Sequence, residues 1–185
     1  MRHNINQKGA QAGGNIVAGD MTVHNHTHGR PKGIEALLLS LRKQIEDSHE
    51  VSDLIDELSR YYVRKSHDGI DGLEDKLNAA GLSHNFDDAI EKKERFAKLL
   101  ERMSLYSSAQ KIFAVFLAKT ESTFTHVIHP KIANCSESEV NQMIIDLIAE
   151  PICVECDGED LLITYDTVFG MVYWLAEQCF VRWHK

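Results

Sequence analysis

The segment from Phe96 to Lys119 constrains the fold most, because its apolar residues recur at helical spacing along its whole length. These residues are Phe96, Leu99, Leu100, Met103, Leu105, Ala109, Ile112, Phe113, Phe116 and Leu117. A stripe of this kind has to be buried, either under neighbouring helices or against another protein. The spacing therefore predicts a central helix on which the rest of the chain after residue 32 packs.

Amphipathic segments before and after this stretch predict further helices. Residues 34–45 and 51–62 each carry an apolar face, and residues 73–80 predict a short helix followed by Gly81, a residue typical of helix ends. Residues 87–103 keep the helical period and carry charged residues on the outer face. The predicted fold class is therefore mainly α, a multi-helix bundle with a short Gly/Asn-rich, β-prone N-terminal arm.

Prolines and capping residues predict where helices begin and end in the last third of the chain. Pro130 and Pro151 are each expected to end a helix, because proline lacks the N–H that the helix interior uses. Ser136 and Glu139 have the spacing of a capping box that opens a helix. Asp166 or the residue after it is expected to cap a last helix, which carries Val168, Met171, Val172 and Leu175 on its buried side.

The arm at residues 1–31 differs in amino-acid composition from the body at residues 32–185, and this difference predicts two separate domains. The arm is rich in Gly, Asn, Gln and Thr, and Gly-Asp at 19–20 separates two β-prone pieces. An isolated hairpin of this kind is marginal in water, so the arm either stays flexible or adds strands to other copies. Four apolar residues are the candidates for such oligomerisation: Ile16, Val17, Met21 and Val23.

Two patterns are weak candidates for binding a metal. Three histidines alternate at His24, His26 and His28, and on a strand they would share one face. Cys153 and Cys156 form a C-x-x-C pair, but zinc would need two more ligands, which Cys135, His126, His129 or Cys179 would have to supply. A polar face and small apolar thiols explain the two patterns without a metal, so neither a metal nor a cofactor is expected.

Charge and hydropathy exclude several classes of function. The formal net charge is −8 and the isoelectric point about 5.6, which argues against a DNA-contacting subunit because phosphate contacts require Lys and Arg. No apolar run reaches membrane-spanning length, and the first 30 residues lack the apolar core of a signal peptide. The expectation is a soluble, cytoplasmic protein with reduced cysteines.

Four pieces of the chain together resemble a known family. In order they are GLEDKLNAAG, FAKLLERMSLYSSAQKIFAVFLAK, SESEVNQMIIDLIAEPI after the Pro130 turn, and VFGMVYWLAEQCFVRWHK. They are similar to the helical C-terminal domain of effector proteins from bacterial ABC-three-component conflict systems, which include Lamassu-type antiphage defence. Ser-Ala-Gln at 108–110 and the terminal segment are the most telling parts, and the resemblance spans about residues 34–185.

The resemblance implies an interaction module rather than an enzyme. In such systems this domain couples an effector to a middle component and to an SMC-like or ABC-type ATPase. An effector domain would precede it, but only about thirty residues do so here, too few for a catalytic domain. The expected function is a non-catalytic subunit of an antiviral defence complex that binds those two partners and self-associates through the arm.

Two rivals to this reading remain open at the level of sequence, and the lesser one is the DNA-contacting subunit that the net charge argues against. The main one is a small zinc-binding protein or metal-dependent hydrolase that uses the histidine arm and the C-x-x-C pair.

If the chain is an interaction subunit, the candidate partner contacts are Trp174, Arg182 and Trp183, because Trp and Arg dominate interface energetics. The same aromatic residues, with Phe180, are also expected to anchor the end of the chain in the core.

Overall fold

The computed structural model describes residues 33–65, 69–157 and 161–184 of the 185-residue chain. None of these residues lies in a strand, so the mainly-α prediction is confirmed for the described ranges. No helix within them is long and apolar enough to cross a bilayer. The predicted arm at 1–31, with its candidate oligomerisation residues, lies outside the described residues. The α-helices are α1 (Ile34–Glu46), α2 (Asp56–Ser59), α3 (Gly72–Ala79), α4 (Phe86–Met103), α5 (Ser107–Thr123), α6 (His129–Ile132), α7 (Glu137–Ile144), α8 (Glu150–Glu155) and α9 (Tyr165–Glu177).

Helix α9 lies at the centre of the bundle, and α3, α4, α5 and α8 all pack against it. Its buried residues are Val168, Gly170, Met171, Val172, Tyr173, Trp174, Leu175 and Ala176. A helix that is buried on almost every side belongs to the interior of a domain rather than to its surface. The organising helix is therefore α9, and the prediction that residues 96–119 form the central helix is wrong.

The stretch from Phe96 to Lys119 forms parts of two helices rather than one. Helix α4 ends at Met103, residues 104–106 form a turn, and α5 begins at Ser107. The inference that the apolar stripe is buried holds for most of its members, and Leu105 in the turn is the exposed exception. The buried members are Phe96, Leu100, Met103, Ala109, Ile112, Phe113, Phe116 and Leu117.

Helices α4 and α9 approach each other so closely that only glycine fits at position 170. A Cβ atom on Gly170 would lie 2.3 Å from the backbone oxygen of Lys92 and 2.9 Å from the Cβ of Phe96. Both distances are shorter than van der Waals contact, and one obstacle is backbone that cannot rotate away. Gly170 therefore sets the distance between the two helices that form the principal packing interface of the body.

Both prolines lie inside continuous helices, which corrects the prediction that each of them ends one. Pro130 follows a π-helical segment, Phe124–Ile128, and Pro151 follows a second one, Ile145–Ala149. In the first segment the N–H of His129 donates to the carbonyl five residues earlier. The wider π turn changes the pattern of backbone hydrogen bonds immediately before Pro130, which has no N–H to donate. Each proline then sits in the first turn of α6 or α8, where its lack of an N–H is tolerated.

Side-chain caps fix the start of two helices. The predicted capping box is confirmed: Ser136 Oγ accepts from the Glu139 N–H at 3.4 Å, and the Glu139 carboxylate accepts from the Ser136 N–H at 2.7 Å. Helix α9 is capped by Thr164, whose Oγ1 accepts from the Thr167 N–H at 3.3 Å. The predicted cap at Asp166 or Thr167 is therefore too late in the chain, and Thr167 acts as the second partner of the box.

The predicted helix at residues 51–62 is shorter than its apolar pattern suggests. Helix α2 covers Asp56–Ser59 and continues as a 3₁₀ turn over Arg60–Tyr62. Leu54 and Tyr62, which the pattern assigns to the buried face, are both exposed. The helical period is therefore kept over only about half of the segment.

Candidate partner interface

Two of the three predicted partner contacts, Trp174 and Trp183, lie in the core. Their side chains are 5% and 3% exposed. Trp174 meets Phe96 edge-on with ring centroids 5.9 Å apart, and Trp183 stacks on Tyr173 at 5.3 Å. This burial agrees with the prediction that they anchor the end of the chain. Buried indoles offer little surface to a partner, so their role in binding stays a prediction.

The third predicted contact, Arg182, is exposed and lies at a cleft between the end of the chain and the α5–α6 region. The cleft has a volume of about 360 Å³. It is lined by Lys65, Glu121, Thr125, His129, Cys179, Phe180 and Arg182, and we call it the Glu121 cleft.

The carboxylate of Glu121 organises the charges of the Glu121 cleft. It pairs with Arg60 at 2.6 Å and with Lys65 at 3.6 Å, and it accepts a hydrogen bond from the Tyr61 hydroxyl at 2.9 Å. Burial is the main cause that raises the pKa of Tyr61, and the hydrogen bond to Glu121 is the second. The Lys65 ammonium also lies 4.1 Å from the centroid of the Phe180 ring. These contacts join the α2 region to α5 and to the end of the chain, which makes the cleft a structural clamp.

His129 and Cys179 both line the Glu121 cleft, but their polar atoms are engaged elsewhere. The His129 Nε2–H donates to the backbone carbonyl of His184 at 3.0 Å. The Cys179 thiol lies 3.7 Å from a carboxylate oxygen of Asp71. His129 and Cys179 therefore do not form with each other the thiol–imidazole hydrogen bond of a Cys–His nucleophile.

Ser-Ala-Gln at 108–110, a telling part of the family resemblance, holds the turn between α4 and α5. Gln110 is 1% exposed. Its side-chain Nε2 donates to the carbonyls of Ser104 at 2.7 Å and Asp53 at 2.9 Å, and its Oε1 accepts from the Ile55 N–H at 2.7 Å. The amide thus satisfies three backbone groups that would otherwise be left without these partners. The hydrogen bonds of Gln110 therefore give it a structural role rather than a chemical one.

The C-x-x-C pair lies at the end of α8 without converging ligands. Cys153 is half-buried and Cys156 is buried, and burial raises the pKa of the Cys153 thiol. In the part of the chain that the structure describes, no group of three or more His, Cys, Asp or Glu side chains is placed to hold a metal. His129 and Cys179 line the Glu121 cleft instead. The histidine pattern, His24, His26 and His28, lies outside the described residues and stays a prediction.

Several apolar side chains of α8 and of the segments that flank it are exposed, and two of them, Val154 and Tyr165, line one groove. Val154 is 66% and Leu162 77% exposed, the largest values in this region. We call this surface the α8 patch and define it as Leu147, Pro151, Val154, Leu162 and Tyr165, all of which are exposed. Exposed apolar clusters with polar borders mark interaction sites.

Sequence patterns concealed the α8 patch for a physical reason. An α-helical period places Leu147 on the same buried face as Val140 and Ile144, but Leu147 lies within the second π-helical segment and is exposed. Extended residues alternate between two sides, so Leu162 points outward between buried Leu161 and Ile163. Leu162 is as apolar as these two neighbours, so the sequence of residues 161–164 does not mark it as exposed.

Two grooves border the α8 patch, and Thr164 lines both of them. One groove, of about 350 Å³, is lined by Glu150, Cys153, Val154, Asp157, Thr164 and Tyr165. The other, of about 220 Å³, is lined by Arg95, Phe96, Leu99, Leu162, Thr164, Asp166 and Thr167. The Tyr165 hydroxyl donates to Glu150 across the first groove, and this bond raises the pKa of Tyr165. The surface can accept the apolar side chains of another protein on both sides of Thr164.

Comparison with known proteins identifies the family. Residues 72–183 match the model of C-terminal domain 9 of the ABC-three-component (ABC-3C) systems. The match begins at the first residue of α3 and covers more than half of the chain, so α1 and α2 lie before it, although the resemblance seen in the sequence extended to residue 34. No curated protein and no solved structure matches the chain. The chain therefore belongs to this family and is a component of an ABC-three-component system.

Proposed function

We propose that this chain is a non-catalytic interaction subunit of a Lamassu-like antiviral complex. Its helical body binds the ATPase and the middle component of the system and couples them to an effector. The observation that carries the proposal is the family match over residues 72–183, a domain type of multi-component systems. The exposed α8 patch on the matched domain supports it, because a folded surface of this kind is suited to a partner.

Coupling requires that the chain distinguish two states of the ATPase. A protein that binds both states equally shifts no equilibrium, however tight the binding. In the proposed mechanism, foreign DNA changes the shape of the ATPase, which then releases or clusters this subunit. The arms at residues 1–31 pair with one another and bring effectors together.

Reconstitution tests the proposed role of the body. The purified chain is mixed with the ATPase and middle component of its own system, and complexes are resolved by size exclusion with light scattering. A ternary complex is expected, with an affinity that changes at least about tenfold, or about 1.4 kcal/mol, between the nucleotide-free and ATP-bound ATPase. Separate elution of the three proteins in both states refutes the proposal.

A separate experiment tests the arm. Light scattering gives the mass of the full chain over a range of concentrations, beside a variant with Val17→Asp and Val23→Asp. The proposal predicts a larger, concentration-dependent mass for the natural chain only, because charges oppose strand addition. Equal masses at all concentrations show that self-association through these residues is wrong.

A further inference from the structure

Carboxylates border the α8 patch. Glu150 and Asp157 line its larger groove, and Asp146 is the exposed neighbour of Leu147. Asp146 accepts a hydrogen bond from a neutral amide, that of Gln142, at 2.7 Å. Within residues 33–65, 69–157 and 161–184, no Lys or Arg forms an ion pair with any of these three carboxylates.

Three cations at or beside the two grooves are paired with carboxylates other than Glu150, Asp157 and Asp146. Arg95, which lines the smaller groove, pairs with Glu91 at 2.5 Å. Lys119 pairs with Glu155 of α8, and Lys92 pairs at 3.6 Å with Asp166, which lines the smaller groove. The border of the patch therefore keeps a negative potential around an apolar centre.

This combination selects among possible occupants. A second copy of the chain, docked by the same surface, would bring identical carboxylates against these ones, and like charges at an interface cost free energy. A nucleic acid would bring phosphates, which the same potential repels. A polypeptide with apolar side chains flanked by Lys and Arg complements both the centre and the border.

We propose that the α8 patch binds a basic amphipathic helix of another component of the system. Its apolar side chains enter the two grooves beside Thr164, and its Lys and Arg side chains meet Glu150, Asp157 and Asp146. A helix laid into an apolar groove is a recurrent mode of recognition. This inference rests on the proposed function, because it takes the partner to be a component of the same complex.

Substitutions in the patch test the inference in the reconstituted complex of full-length proteins. The double variant Val154→Ala, Leu162→Ala should weaken binding by roughly tenfold, since both side chains lie at the apolar centre. Asp157→Lys should slow association severalfold at low salt and have little effect at high salt, where screening removes its contribution. Thermal unfolding of each variant should match the natural chain, because the replaced side chains are exposed.

Val63→Ala is the matched control, because Val63 is 70% exposed and lines neither groove. It should bind like the natural chain. A photo-crosslinking amino acid in place of Leu162, followed by peptide mapping, should capture a Lys/Arg-flanked apolar segment of a partner.

The outcomes separate the two proposals. If the complex forms but the Val154/Leu162 variant binds normally, the inference is overturned and the proposed function stands. Crosslinking to a second copy of this chain, or to an acidic segment, also overturns the inference. If the components form no complex at all, both proposals fail.

Discussion

Replacing Gly170 with alanine tests the packing that holds the body together. The new methyl group would lie 2.3 Å from the backbone oxygen of Lys92 and 2.9 Å from the Phe96 Cβ. Ordinary contacts begin at about 3.4 Å, so α4 and α9 must separate by about 1 Å. That separation also loosens the edge-on contact between Phe96 and Trp174.

Two opposing effects decide the sign of the result. Overpacking costs about 1–3 kcal/mol, and the upper part of that range applies because a backbone carbonyl cannot rotate away. Alanine is a better helix former than glycine by about 1 kcal/mol. The net expectation for Gly170→Ala is a loss of about 2 kcal/mol, which lowers Tm by about 4–8 °C in a domain of this size.

Thermal unfolding followed by circular dichroism, with urea unfolding as a second measurement, provides the assay. Gly81→Ala is the control: its Cβ would meet nothing within 4 Å, and its φ of +75° makes strain the only cost, about 1 kcal/mol. If Gly170→Ala leaves Tm unchanged or raises it, helix propensity outweighs the contact, and the close approach of α4 and α9 is refuted.

Three further substitutions test other features. Gln110→Leu should cost about 2–4 kcal/mol in urea unfolding, because three backbone groups lose their partner; a loss below about 1 kcal/mol contradicts this. Burial raises the pKa of Tyr173 to about 12, so the folded state holds its proton more tightly than the unfolded state, which titrates near pH 10. Tyr173 should therefore contribute a loss of about 2 kcal/mol of stability from pH 10 to 12, in addition to the loss from Tyr61, whose pKa is also raised. A Tyr173→Phe variant with the same slope as the natural chain argues against this. Ser136→Ala should cost about 1 kcal/mol through loss of the capping box, and an unchanged Tm speaks against it.

Local chemistry made part of the fold predictable. The Ser136–Glu139 capping box needs only residues three apart, and it is formed as predicted. Gly81 follows α3 with φ +75°, a conformation that favours glycine and that the sequence suggested. Helical periodicity gave the mainly-α class, because burying one face of each helix leaves a repeating pattern.

Features that depend on packing between distant segments could not be predicted from the sequence. Local rules make Pro130 and Pro151 helix breakers, but in the bundle each helix continues past its proline because a π-helical segment precedes it. Lys76 is 1% exposed and donates to the Ala176 carbonyl at 2.5 Å, at the negative end of the α9 dipole. Nothing in the sequence around Lys76 shows that α9 ends beside it.

Interface residues are hard to identify from a sequence, because an interface residue and a core residue can be of the same amino-acid type. Trp174 and Trp183 were assigned to both roles, and the structure buries them. Val154 and Leu162 carry no sequence signal of function, and only their exposure distinguishes them from core residues.

The central claim is that the helical body docks on the other components of its system, and titration calorimetry tests it most directly. The full-length chain is titrated into the ATPase together with the middle component at several temperatures. Saturable binding with a negative heat-capacity change is predicted, since docking buries apolar surface. Absence of binding heat at every temperature, together with separate elution of the proteins, would contradict the claim.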